Sequence, residues 1–534
     1  MKKILPITFC ICLLITGASL GQSRPLANEN KSGLYARSIE QVLRLSADDI
    51  DLATAVLIIS EQWSDNVQGR KYVSQLDDMA VEIRNRLDAK NIPYNHQAIP
   101  VINDYLFNEL GFKSDPDSNN PDNLFLDTVL DNKRGYCLSL SVLYLAMGER
   151  LGLPLYGVVV PSHFFVRYDD GKVQFNIEAT SKGGYADDKH YIDKFKIPSG
   201  NSGIYLQSLD KRQTLGCFFN NLGNSYSSAG NTKMSQVAFE TAVEINPLLP
   251  ESRTNLGNIY LKLNRAEDAI SQYKAALEIN ADDSKTHSNL GNAYLKEGSF
   301  DDAVSEYNRS IKLEPAFVDA YKNLAYAYCK QEMFSQALSC LKDAVVLAPK
   351  DSAIYSQFGD VYCQIGDYDE AIHQYKKALG IKPDLSTAYY GLGLCYNKLD
   401  QPDDEIKAYR KAVSIDPRMT AALVNLGNAY FNKKKYDSAI EEYKKAVRIK
   451  PDNGTVHYNI AAAYHNKGYF DKAAVEYEKA IEIDPQMADA HNGLAFAYYK
   501  LKDYESAWQH IKKAEALGAK ISPDLLSAIK ENLP

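Results

Sequence analysis

Three side chains of this 534-residue sequence, the thiol of Cys137, the imidazole of His163 and the carboxylate of Glu178, are the groups that acyl transfer through sulfur requires. A thiol that gives its proton to a neighbouring imidazole attacks a carbonyl carbon, and a carboxylate on the far side of the ring orients it and favours its charged form. Cys137 opens the apolar stretch "CLSLSVLYLAMGERL". At the start of a helix, free amides and the helix dipole stabilise a thiolate. His163 opens "HFFVRYDD" and Glu178 closes "QFNIE", with Asn176 on the same strand face. Spacing alone does not make the three converge, and a packed core also contains an occasional Cys and His. Both readings stand at this point.

The elements that must position these groups are legible in outline. Residues 38–55 and 70–112 are predicted helices, because apolar residues recur there at intervals of three and four, as in "DDMAVEIRNRLDAKN". "KSDPDSNNPDNLFL" is rich in Pro, Asn and Asp and is expected to be a loop. A short helix, a turn at Gly135 and a long apolar helix from Cys137 follow. "LYGVVV", "HFFVRYDD" and "KVQFNIEAT" are β-branched and aromatic runs, hence strands. Helices followed by antiparallel strands make an α+β plan.

That order, Cys at a helix start, His on the next strand and an acid on the strand after, resembles the transglutaminase-like, papain-related superfamily. More narrowly, "YLFNELGF", "LFLDTVLDNKRGYCLSLSVLYLAMGERLGLPLYGVVVPSHFFVRY" and "FNIEATSKGG" are similar to its SirB-related branch, over about residues 45–215. The resemblance implies Cys137 as nucleophile, His163 as general base and acid, and Glu178 as the orienting group. It also implies an oxyanion site that includes the Cys137 amide. Many members of the branch lack the nucleophile, whereas this chain keeps it. Relatives tend to carry aspartate where this chain has Glu178.

The second half repeats itself every 34 residues. The apolar landmark of "NLGNSY" returns as Leu222, Leu256, Leu290, Leu324, Phe358, Leu392, Leu426, Ile460 and Leu494, each followed four residues later by tyrosine. Small residues recur thirteen and twenty positions on, and prolines such as Pro315, Pro349 and Pro383 close most units. The pattern resembles the tetratricopeptide repeat (TPR), two amphipathic helices per unit that bury their apolar faces only when stacked. In such proteins the first helix of each unit lines a groove, and asparagines there hold extended peptides. The matching residues here are Asn221, Asn255, Asn289, Asn323, Asn425 and Asn459. An amide side chain offers donor and acceptor together, which suits a peptide backbone; helix packing is the other use for it. Arrays with this signature also precede a glycosyltransferase domain, and none is expected after the cap here.

The expected organisation is a signal peptide at 1–21, a transglutaminase-like domain at 34–200, a connecting segment at 201–215, nine TPR units at 216–521 and a capping helix at 522–534. Two lysines, an apolar run from Ile4 to Ile15 and small residues before Gly21 make the signal, so export of bacterial type, to the periplasm or beyond, is expected. Neither Cys10 nor Cys12 has a lipoprotein context. No membrane span is expected after cleavage. A formal net charge of −8 argues against a nucleic-acid partner. The remaining cysteines, Cys137, Cys217, Cys329, Cys340, Cys363 and Cys395, contain no CxxC pair, so neither a metal, a cofactor nor a disulfide framework is expected. Two functions fit: a scaffold that binds proteins or peptides in its groove, or a cysteine-dependent amide hydrolase or acyltransferase to which the repeats deliver substrate.

Overall fold

The computed structural model describes residues 25–63, 67–115, 121–197 and 204–533. The signal segment 1–21 and the start of the connecting segment, 201–203, lie outside them. The described chain divides into two compact units, residues 1–289 and 290–534, with the boundary inside the helix Ser284–Glu297.

In the first unit the α+β plan is present. Helices α1 (Leu52–Trp63), α2 (Gly69–Ala89) and α3 (Cys137–Leu151) precede a four-stranded antiparallel sheet of β1 (Leu155–Val160), β2 (His163–Asp169), β3 (Gln174–Glu178) and β4 (Gly184–Ala186), in that spatial order. A final helix, α4 (Asp188–Phe195), follows the sheet. The sheet packs on α3, whose residues are buried on nearly every side. That explains why its sequence is apolar all round rather than striped.

The predicted helix 38–55 is two helices, because the buried Asp51 carboxylate accepts from the Thr54 amide (2.8 Å) and hydroxyl (2.6 Å) and starts α1 afresh. The predicted helix 70–112 likewise stops at Ala89, where Asn91 takes a positive φ of 50° and Pro93 follows. Behind α3, the fully buried Arg150 bonds Asp77 (2.7 Å) and faces Asp51 (3.7 Å). Burial works to raise the Asp51 pKa, but the Arg150 charge with hydrogen bonds from Thr54 and Asn28 outweighs it and holds the carboxyl ionised below its ordinary range.

From Ile204 on, the segment expected to connect the halves is folded structure. Leu209 donates its amide to the Gly157 carbonyl (2.9 Å), and helix α5 begins at Lys211, inside the 201–215 segment, and runs to Ser228. Lys211 Nζ bonds Glu149 Oε1 of α3 (2.6 Å) and the Ile50 carbonyl (2.7 Å). Leu215, Phe218 and Leu222 of α5 join the same hydrophobic core as the sheet and α3. The first repeat is thus packed as part of the first unit's core rather than tethered to it.

From α5 onward the described chain is a succession of helix pairs, closed by a short helix at Pro523–Glu531 whose Leu525 and Ile529 cover Ala495, Ala507 and Ile511. The landmark residues are buried throughout. The glycine of "NLGN" has a steric reason: a Cβ at Gly427 would lie 2.4 Å from the Tyr443 ring, and one at Gly257 2.6 Å from Tyr273. Where the facing aromatic is replaced by Leu341 or Ile511, the glycine is replaced by Ala325 or Ala495. The unit of Ile460 departs from this pairing, with Ala461 accommodated in one cluster with a retained Tyr477.

Candidate functional site: a thiol, an imidazole and a carboxylate

Cys137 is the first residue of α3. Ser139 Oγ fixes that helix start by accepting the Tyr136 amide (2.9 Å) and donating to the Asn123 carbonyl (2.7 Å). The chain passes so close here that a Cβ on Gly135 would meet Ser139 Oγ at 2.7 Å and Val129 at 2.9 Å. The first amides of a helix have no intrahelical acceptor, so this end of α3 presents donors beside the thiol.

His163 is placed by a two-residue hairpin turn. β1 and β2 pair with Val160 opposite His163, leaving Pro161 and Ser162 as the turn, with Ser162 at φ 61°. Proline followed by a residue of positive φ is the signature of a type II turn. Glu178 ends β3 and caps the 3-10 turn Ala179–Ser181. Its Oε1 accepts from the Thr180 amide (3.2 Å) and hydroxyl; its Oε2 takes the Tyr191 hydroxyl (3.2 Å) and His163 Nε2 (2.6 Å). The Cys137 thiol shares the wall of the same cavity with the imidazole and favours its charged form. The three groups therefore converge.

The ring lies parallel to Phe195, centroids 5.2 Å apart, with Tyr191 and Phe165 just beyond it. Burial works to lower the His163 pKa, but hydrogen bonds and charge from Cys137 and Glu178 outweigh it and raise the group to about 9. For Glu178, burial works upward, and the bond to His163 with those from Thr180 outweighs it, so the carboxylate stays ionised below its ordinary range. An imidazolium between a sulfur and a carboxylate is the arrangement these shifts favour. Asn176 is not part of it: its amide bonds Arg167 (2.8 Å) and Asp188 (2.7 Å) inside the sheet.

Two cavities open onto the pair. One, of about 760 Å³, is bounded by Cys137, His163, Thr180 and Asp115 with Asn221 and Asn224 of α5. The other, of about 430 Å³, again includes Cys137 and His163 and continues along Asn221, Asn255 and Asn289. Half of the predicted asparagine ladder thus shares one cavity with the thiol. Asn323, Asn425 and Asn459 belong to the second unit.

The ladder asparagines also serve packing. Asn255 donates to Asn220 (3.0 Å), Asn289 to Asn258 (3.1 Å), Asn323 to Asn292 (3.1 Å) and Asn459 to Asn428 (3.3 Å). Asn221 bonds the Cys217 carbonyl (2.9 Å) and Asn425 the Tyr390 hydroxyl (3.3 Å). Asn258, Asn292 and Asn428 each accept a second bond, from Tyr273 (2.7 Å), Tyr307 (2.6 Å) and Tyr443 (2.7 Å). Each of the ladder asparagines thus spends an amide hydrogen on the scaffold, out of two donors and one acceptor in its side chain.

Sequence reasoning missed Asn224, Tyr191, Phe195 and Glu251. Asn224 carried a signal, since the second asparagine of "NLGN" recurs with the period. Glu251 lies in the smaller cavity, bonded to the Tyr205 hydroxyl (2.6 Å) through Oε1 while Oε2 is buried without a protein partner. Among the described residues no group of three or more His, Cys, Asp and Glu side chains is arranged to hold a metal ion.

Comparison with known proteins agrees with this anatomy. Residues 70–216 match the family model of the transglutaminase-like superfamily, and TPR models match 218–247, 238–271, 257–298, 291–332, 359–400, 386–419, 427–468 and 463–502. The chain thus carries a transglutaminase-like domain followed by a TPR solenoid. Among curated proteins it is 31% identical over 123 residues to a UPF0162 protein of Xylella fastidiosa, covering 22% of this chain and 43% of that one. It is 38% identical over 81 residues to F-box only protein 21 of Mus musculus, covering 15% and 13% respectively. The chain therefore spans less than half the length of the curated relatives it matches. Among solved structures, Pseudomonas aeruginosa pilF aligns with 38% of this chain and 92% of its own, at 16% identity and a TM-score of 0.35. MamA aligns with 30% and 95%, at 27% identity and a TM-score of 0.28.

Proposed function

We propose that this protein is an exported scaffold that holds an extended peptide or protein segment along its first repeats and presents one amide bond of that segment to Cys137. The observation that carries the reading is the shared cavity: Cys137 and His163 at one end, Asn221, Asn255 and Asn289 along its wall. In the reaction the Cys137 sulfur bonds to the carbonyl carbon, the carbon–nitrogen bond breaks, and the His163 imidazolium gives its proton to the departing amine. Water or a second amine then takes the acyl group from sulfur and returns its proton to the thiolate–imidazole pair. Glu178 keeps the ring in register and its charge compensated, and the Cys137 amide donates to the developing oxyanion. Tethering substrate next to the thiol supplies effective concentration without specific contacts at the reacting bond.

The test is the pH dependence of iodoacetamide labelling of Cys137 in the mature protein, beside His163→Ala. Fast labelling below pH 7 that His163→Ala abolishes is the expected result. Labelling that climbs only near about pH 8.5, the range of an ordinary thiol, would reduce the domain to a binding module and leave the groove as the functional surface.

A further inference from the structure

Cys363 and Cys395 sit on the first helices of successive repeats, Ser352–Ile365 and Ser386–Lys398, in the second unit. Their sulfurs lie 2.7 Å apart, less than an ångström beyond a disulfide bond length of about 2.04 Å. Both are free thiols. Cys395 is fully buried in the cluster of Ala371, Ala378 and Leu392, while Cys363 is half-buried and borders a cavity of about 300 Å³. We propose that Cys363 and Cys395 form a redox-responsive pair that closes to a disulfide against an oxidised small-molecule disulfide and staples the fifth repeat to the sixth.

Cys363, the less buried partner, attacks first. Cys363 forms a bond to one sulfur of the small disulfide and releases the other half as a thiolate. Cys395 then attacks the Cys363 sulfur and releases the second half. Two protein thiols are oxidised, one disulfide is reduced to two thiols, and the protein's two protons pass to the released thiolates or to solvent. The order follows from the surroundings. The hydrogen bond from Cys395 lowers the Cys363 pKa against the effect of burial, with the Tyr375 hydroxyl 3.9 Å away as a second donor. Burial instead raises Cys329, which borders the same cavity, to about 11. The closed loop would contain the whole intervening helix Tyr368–Ile381, so oxidation restricts the unfolded chain over an entire repeat.

The test equilibrates the reduced full-length protein with glutathione and glutathione disulfide at graded ratios, blocks remaining thiols with iodoacetamide and maps the peptides by mass spectrometry. The expected result is a linked pair of peptides carrying Cys363 and Cys395, two hydrogens lighter than their sum, while Cys329 and Cys340 stay alkylated. Oxidised protein should also melt several degrees above reduced protein, a difference that Cys395→Ala removes. Three outcomes would overturn the proposal: both residues alkylated at every ratio, Cys363 bonded to glutathione with Cys395 alkylated, or Cys363 linked to Cys329. The mapping is made on the unaltered protein, so a poorly folding variant leaves it decisive.

Discussion

His163 is held between a sulfur and a carboxylate, and its charge is coupled to folding. Its pKa in the folded protein is about 9 against an unfolded value of 6.5, so the charged ring contributes stability that is fully present below pH 6.5 and is lost as pH rises through 9. Thermal unfolding of the unaltered protein should therefore show a fall in melting temperature between pH 6.5 and 9 that is smaller in His163→Ala. Glu178 is the second residue-scale lever. Glu178→Gln keeps the shape but removes the charge that holds the imidazolium, so alkylation of Cys137 at pH 6 should slow by about tenfold or more. Equal rates in the two proteins would show that Glu178 is only a structural cap for the Ala179–Ser181 turn.

Among elements, α3 carries the chemistry at one end and a buried ion cluster at the other. Arg150→Met leaves Asp51 buried without its cation and should cost about 3–5 kcal/mol in chemical denaturation, whereas an equally sized exposed change should cost little. In the repeats, the contact between the "NLGN" glycine and the facing tyrosine is the point of closest approach. Gly427→Ala should cost about 1–3 kcal/mol through overpacking, and the double change Gly427→Ala with Tyr443→Leu should recover much of it, as the Ala325 and Leu341 pair already does; a cost near zero in chemical denaturation would show that this unit relaxes as the one holding Ala461 with Tyr477 does. The helix at Cys137 and the strands of the sheet were readable because apolar runs and β-branched residues mark them locally. The breaks at Arg44–Asp51 and after Ala89 were not, because a buried carboxylate cap and a left-handed asparagine decide them and neither disturbs the apolar spacing.

At the scale of the whole molecule, the reading of this protein as a peptide holder rests on the asparagine ladder. Asn255→Ala together with Asn289→Ala should weaken capture of a partner segment by about tenfold, on the scale of 1.4 kcal/mol, without changing iodoacetamide labelling of Cys137; unchanged capture would assign both residues to packing alone. Export is tested by the mature N-terminus, which should be Gln22.

By itself the sequence determined the period of 34, the identity of the repeats, the helix that begins at Cys137 and the strands that carry His163 and Glu178, because each is written in local periodicity and turn chemistry. Tertiary structure alone decided that the thiol, ring and carboxylate meet, that Asn176 belongs to the sheet, and that Phe195 and Tyr191 pack around His163. It also decided that the first repeat is built into the domain through Lys211 and Phe218, and that two cysteines 32 residues apart bring their sulfurs together. Convergence of side chains distant in sequence depends on register and packing angles, which no local pattern encodes.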